Sequence, residues 1–221
     1  MGYLAALVWF STNNCVLPIH LSLIEAAEGG HLEIAQWISD QLPCGLYDYE
    51  AMGQAAASHR QVDMMRWLVE SGHLVANEDL LAAAARGGSL EMVKLLRERH
   101  CPWDSYACAA AAAGGHLDLL KWLRGEGVEW DSLTSYQAVA YGHLAVLKWV
   151  VDNGCLTDRR LSCITAARHG HAEVIGWARD NGFHYEEGVV LEEARHHRRG
   201  EVVEWIRANP FRVVNPVPII E

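Results

Sequence analysis

The sequence predicts an all-α fold, an α-solenoid of stacked helix–turn–helix units, on three observations. A bulky apolar residue, nearly always tryptophan, recurs at an almost constant interval. Small and acidic residues recur at fixed offsets from it, and glycine separates the resulting segments. The marks are Trp9, Trp37, Trp67, Leu95, Trp122, Trp149, Trp177 and Trp205, with steps of 28, 30, 28, 27, 27, 28 and 28 residues. A fixed period of this length is the signature of a repeat array, in which each unit packs on its neighbours.

One unit, CPWDSYACAAAAAGGHLDLLKWLRGEG at residues 101–127, shows why each element forms. Asp104 can cap a first helix through its carboxylate, as can Asp131 and Asp158 in the same column, with Glu186 a poorer cap. The alanine-rich run 108–113 favours helix, and its small side chains admit a second helix at close range. Gly114 and Gly115 then break the chain. In the second helix, Leu117, Leu119, Leu120, Trp122 and Leu123 spread apolar surface round more than half a turn, which predicts cover on two flanks. Residues that tolerate the left-handed conformation, Asn14, Gly72, Gly127, Gly154 and Gly182, fall five after their marks and stop that helix. The indoles are expected in the core, where Trp122→Ala would cost about 3–5 kcal/mol through the cavity it leaves.

Along the chain the pattern starts abruptly, with residues 2–9 reading as the second helix of a unit whose first helix is absent. About eight units, the first incomplete, are expected to form a single array over residues 2–209. The step at Gln41-Leu42-Pro43-Cys44-Gly45 is longer and should bulge. The last first helix ends in Arg195-His196-His197-Arg198-Arg199, which suits a terminal unit facing water. Residues 210–221 leave the pattern as a non-repeat tail, where Pro216 and Pro218 exclude helix. No basic segment precedes the apolar start, and no apolar run is long enough to span a membrane, so neither a signal peptide nor a transmembrane segment is expected.

A chain of 221 residues with 51% hydrophobic content can bury a continuous core. Its formal charge of −10 argues against a nucleic-acid backbone or an anionic membrane as partner. A basic column at Arg66, Lys94, Lys121 and Lys148 follows the acidic column by three residues and should be neutralised on its own helix face. The six cysteines, Cys15, Cys44, Cys101, Cys108, Cys155 and Cys163, alternate with ordinary apolar residues in their columns and read as small buried hydrophobes. Reduced thiols and the lack of a leader point to the cytoplasm or nucleus.

The GHLDLLKWL segment, with its preceding alanines, resembles the ankyrin repeat pattern of Ala-Ala, Gly-His, Glu and a hydrophobic helix. The resemblance covers nearly the whole chain and recurs in every unit. These units of 27–28 residues are shorter than the usual ankyrin repeat of about 33, and the Thr-Pro-Leu-His opening is missing. The missing residues correspond to the family's projecting β-turn finger, replaced here by tight loops such as Cys101-Pro102-Trp103-Asp104. The units are similar to the compact, tryptophan-rich ankyrin variants of protists, algae and giant viruses, some of which carry an N-terminal F-box. None is visible here.

Candidate sites follow from the columns. His31, His116, His143 and His171 share the entrance of the second helix, where an imidazole can hydrogen-bond the turn backbone. Trp103, Trp130 and Tyr185 form an aromatic column expected to pack between loops and helices. A catalytic centre needs unlike residues converging, whereas a repeat spreads like residues along a line; no catalytic, cofactor or metal site is assigned, and an enzyme is not expected. The ankyrin resemblance implies that the varied residues ending the first helices look onto a concave groove. It selects Glu28, His59, Arg86, Tyr141, Arg168 and His169 as contacts, with Asn153 and Asn181 in nearby turns. The expected function is that of a monomeric scaffold binding another protein or peptide. The open alternative is the substrate-recognition part of a larger F-box ubiquitin-ligase adaptor.

Overall fold

The structure, a computed structural model, describes residues 8, 13, 19–41, 48–74, 77–183 and 186–210. Cys15, Cys44, Tyr185, the bulge at 42–45, the tail beyond 210 and most of the incomplete first unit lie outside them; Val8 there is helical. All regular structure among the described residues is α-helix. The chain divides into two compact units, Met1–Trp130 and Asp131–Glu221.

The first unit holds four helix pairs: α1 (Ile19–Gly29) and α2 (Leu32–Gln41), α3 (Tyr49–Ser58) and α4 (Val62–Glu70), α5 (Glu78–Gly87) and α6 (Leu90–Glu98), α7 (Ser105–Ala113) and α8 (Leu117–Gly125). The second holds three: α9 (Ser132–Ala140) and α10 (Leu144–Asp152), α11 (Arg159–His169) and α12 (Ala172–Asp180), α13 (Glu187–His196) and α14 (Gly200–Ala208). Each first helix packs on its own second helix and on the first helix of the next pair, giving the rows α1–α3–α5–α7 and α9–α11–α13.

The caps explain where the first helices begin. Asp48, Asn77, Asp104, Asp131 and Asp158 each accept a backbone N–H from the first turn through the side chain, while Glu186 makes no such bond. The core is built from alanines of the first helices, such as Ala84, Ala85, Ala111 and Ala112, and from three apolar columns of the second helices. Those columns are Met64, Met65 and Leu68 in α4, Met92, Val93 and Leu96 in α6, and Leu119, Leu120 and Leu123 in α8. In the second unit they are Val146, Leu147 and Val150, then Val174, Ile175 and Ala178.

The tryptophan column is a correction to the sequence reading. Trp37, Trp67, Trp122, Trp149, Trp177 and Trp205 are half-buried, and among the described residues of that column only Leu95 is buried. The residues beside the marks fill the core, and the Trp122 and Trp205 indoles cover joints between second helices. Trp122 meets Trp103 edge to face at 6.1 Å with Lys94 5.7 Å from its ring, and a Cβ on Gly176 would touch the Trp205 ring at 2.9 Å. The basic column also behaves differently from the expectation. Only Lys121 pairs with the carboxylate three residues earlier, Asp118 at 3.9 Å, whereas Arg66 reaches Glu91 on the next pair at 3.8 Å.

The loops between pairs close around cations and thiols. Arg97 lies 3.9 Å above Trp103 and donates to the Cys101 carbonyl; Arg124 lies 4.4 Å above Trp130 and donates to the Val128 carbonyl. Cys101, Cys108, Cys155 and Cys163 are free and buried. The Cys101 thiol donates to the Asn77 carbonyl at 2.9 Å and the Cys155 thiol to the Asp131 carbonyl at 3.2 Å. Burial pushes the Cys101 thiol up to about 11 and the Cys163 thiol to about 12.

Candidate protein-binding groove

At several second helices the opening residue fastens its pair to the one before it. His116 Nε2 donates to the Arg86 carbonyl at 2.9 Å, and His171 Nε2 to the Ala140 carbonyl at 2.9 Å. Gln61 does the same to the Glu28 carbonyl at 2.8 Å, and Arg199 to the Arg168 carbonyl at 2.9 Å. These carbonyls end first helices, where the helix supplies no partner of its own. The sequence reading put the imidazole on its own turn; the structure puts it on the preceding pair. The clip lies flat on the left-handed residue of that pair. Gly142 has φ +74°, and a Cβ there would stand 2.5 Å from His171 Nδ1. Where Arg60 takes the left-handed position, the next pair carries Ser89, which caps α6 instead.

In the first unit, glycine eight before the mark lets two first helices touch the helix before them through backbone, although His59 holds that column in α3. At the end of α5, a Cβ on Gly87 would stand 2.6 Å from the Ala57 carbonyl oxygen, and one on Gly114 would run into the Arg86 carbonyl. Backbone there touches backbone. In the second unit Tyr141, His169 and His197 occupy this column. The α9–α11 seam correspondingly opens into a groove. Its wider end, about 420 Å³, is lined by Tyr136, Gln137, Ala140, Tyr141, His169 and His171. Its other end, about 300 Å³, runs past Ser132, Asp158 and Leu161, and Tyr136 borders both. Clefts of these sizes fall at the lower end of the range that holds ligands.

Among solved structures, the chain is similar to the human ASB11 ankyrin repeat domain, at 20% identity and a TM-score of 0.53 over 89% of this chain and 99% of that one. The chain has the ankyrin-repeat fold. No family model matches the sequence, and no curated protein matches it.

The groove gathers some of the residues selected from sequence and not others. Tyr141, 51% exposed, and the exposed His169 share its wide end. Arg168 stands one residue from His169 but turns to the next first helix, where its Nε donates to Glu193 Oε1 at 2.7 Å. His197 Nε2 lies 3.1 Å from the same oxygen. The Arg168 hydrogen bond, with the charges of Arg168 and His197, holds Glu193 below the usual carboxylate range. Asn153 and Asn181 cap second helices by donating to the Trp149 and Trp177 carbonyls, both at 2.8 Å. They lie a helix length, about 13 Å, from the turns that carry Tyr141 and His169. Glu28, His59 and Arg86 belong to the first unit. Glu28 and His59 are exposed, His59 Nδ1 sits 2.9 Å from the Ala55 carbonyl, and Arg86 is half-buried.

Tyr136 and Gln137 were not selected from sequence. Their columns read Ala82 and Ala83 in α5, then Ala109 and Ala110 in α7. Loss of alanine in the middle of a first helix was the available signal. Among the described residues no group of three His, Cys, Asp or Glu side chains is placed to hold a metal ion, and no helix is long and apolar enough to cross a membrane.

Proposed function

We propose that the protein binds another polypeptide, and that the groove along the α9–α11 seam receives an extended segment of that partner. The observation that supports this reading is the opening of the seam by Tyr141 and His169 at the column where Gly87 and Gly114 close it. An exposed tyrosine beside a cleft combines a large contact area with few rotatable bonds, the profile of a binding anchor. The walls are helices clipped by His171 and not loops, so little conformational entropy is lost when the groove is filled. The protein acts by presenting a surface, without chemistry of its own.

A photo-crosslinking residue at position 141, expressed in the native host, tests the reading. A discrete protein adduct should form from position 141 and not from position 173, an exposed site on α12. Equal adduct patterns from the two positions would count against the groove.

A further inference from the structure

Three columns that are buried in the described pairs before it come to the surface in the last pair. Two before the mark, Leu120, Leu147 and Ile175 are fully buried, whereas Val203 is half-buried. Fourteen before it, Cys108, Ser135 and Cys163 are buried, whereas Leu191 is half-buried. Ten before it, the buried Ala112, Val139 and Ala167 give way to the exposed Arg195. Together these residues mark the flank of α13 and α14 on which a further pair would stack. The chain leaves the pair beside that flank. α14 packs antiparallel on α13, so its end at Ala208 lies next to the start of α13. Arg179 Nη1 sits 3.5 Å from the Asn209 carbonyl oxygen and fixes the exit. Residues 211–221, FRVVNPVPIIE, follow. Six of these eleven are Phe, Val or Ile, and Pro216 and Pro218 favour an extended path. Phe211 stands six after its mark, in the column of Cys101, Val128, Cys155 and Phe183, which are all buried. Arg207 stands two after the mark, as do Arg97 and Arg124, which donate to carbonyls of that same column.

We infer that this flank is a docking site for the chain's own residues 211–221. Phe211 takes the buried place of its column, and residues 214–221 lie extended along α13, over Leu191 and Val203, where a further first helix would pack. The length suffices. Eight extended residues at about 3.1 Å each reach about 25 Å, against about 13 Å for a nine-residue helix. Glu221, the one acidic residue of the segment, then comes to the end of α13 that carries Arg195. A second copy of the chain is the competing occupant, since an apolar flank left open can stack on another molecule. The tether decides between them: joined at Asn209, the segment meets the flank at an effective concentration on the order of millimolar. The docked segment ends the array and keeps a second copy off the flank, whatever the groove binds.

The test places a photo-crosslinking residue at position 219 of the full chain and irradiates a mixture of isotopically light and heavy protein. Mass spectrometry of the digest then separates links within one chain from links between two. The expected result is a link within one chain onto α13 or α14. A second measurement compares hydrogen exchange in the parent and in Ile219→Asp/Ile220→Asp, whose changes lie outside the repeats. Exchange in α13 should rise about tenfold in the variant while α9 stays as it was. Links between light and heavy chains would overturn the inference in favour of a second copy. Links from position 219 into the α9–α11 groove would overturn it as well, as would the absence of any link or equal exchange in parent and variant.

Discussion

Replacing Gly142 with alanine separates the two reasons for glycine at the turn. The residue sits at φ +74°, where a side chain costs about 1–2 kcal/mol through its clash with the backbone. Its new Cβ would also lie 2.5 Å from His171 Nδ1 and drive the imidazole off the Ala140 carbonyl. A half-buried acceptor deprived of its donor adds about 1–2 kcal/mol, so the total is about 2–4 kcal/mol. Gly154 provides the reference. It has nearly the same backbone, φ +79°, but no heavy atom lies within 4 Å of the position its Cβ would take, so Gly154→Ala should cost only about 1–2 kcal/mol. The entropy that alanine removes from the unfolded chain is common to both and cancels in the comparison.

Urea unfolding followed by far-UV circular dichroism measures the two variants, and hydrogen exchange at the α9 and α11 amides locates the loss, since local opening need not involve the whole array. His171→Ala and the double variant Gly142→Ala/His171→Ala complete a cycle. Once the imidazole is gone the added methyl has nothing to strike, so the double variant should be about 1–2 kcal/mol more stable than the sum of the singles implies. Equal destabilisation by Gly142→Ala and Gly154→Ala, or strict additivity in the cycle, would refute the clip.

Three further outcomes follow from burial and charge. Trp122→Ala should cost about 2 kcal/mol, less than Leu120→Ala at about 3–4 kcal/mol, because the indole is half-buried and water can enter the space it leaves; chemical denaturation of the two variants ranks them. Cys101 and Cys163, with thiols raised to about 11 and 12, should resist an aromatic disulfide reagent at pH 8 until the chain unfolds, and immediate reaction of the native protein would contradict their burial. Glu193 is held low in the folded state, so its contribution to stability is present above the carboxylate's ordinary value of 4.5 and is lost as pH falls through the lower folded value. Glu193→Gln should therefore be less stable than the parent at pH 7 and converge with it in strong acid, as read by thermal melts across that range.

The repeat register, the helix pairs and the caps were legible because they are local. A capping aspartate, an alanine run and a glycine stop act within a few residues of themselves, so spacing along the sequence translates directly into structure. The tryptophans misled for the complementary reason. Regular recurrence marks a position as structurally equivalent between units, but equivalence says nothing about depth, and an interface position recurs as faithfully as a core one. Met64, Met65 and Leu68, which vary in kind from unit to unit, carry the core because any apolar residue of suitable volume serves there. Arg168 and the two asparagines show the same limit at the groove. Variation drew attention to Arg168, yet its guanidinium is engaged by Glu193 twenty-five residues on, and Asn181 stands where a helix end needs a cap.

The arrangement of clip and groove explains how one seam can open without loosening the stack. At the ends of α5 and α7 glycine allows close backbone approach, and at Arg86 the His116 clip adds to a contact already made by the backbone. In α9 and α11 Tyr141 and His169 hold that column, and both line the groove. His171 reaches Ala140 at the same 2.9 Å as His116 reaches Arg86, so the clip is unchanged where the column residues differ. The orphan carbonyl therefore keeps its donor and the seam keeps its spacing, while the surface between the helix ends becomes available. A recess formed in this way has fixed walls, and stiffness at the clip and selectivity at the recess are properties of adjacent residues in one turn.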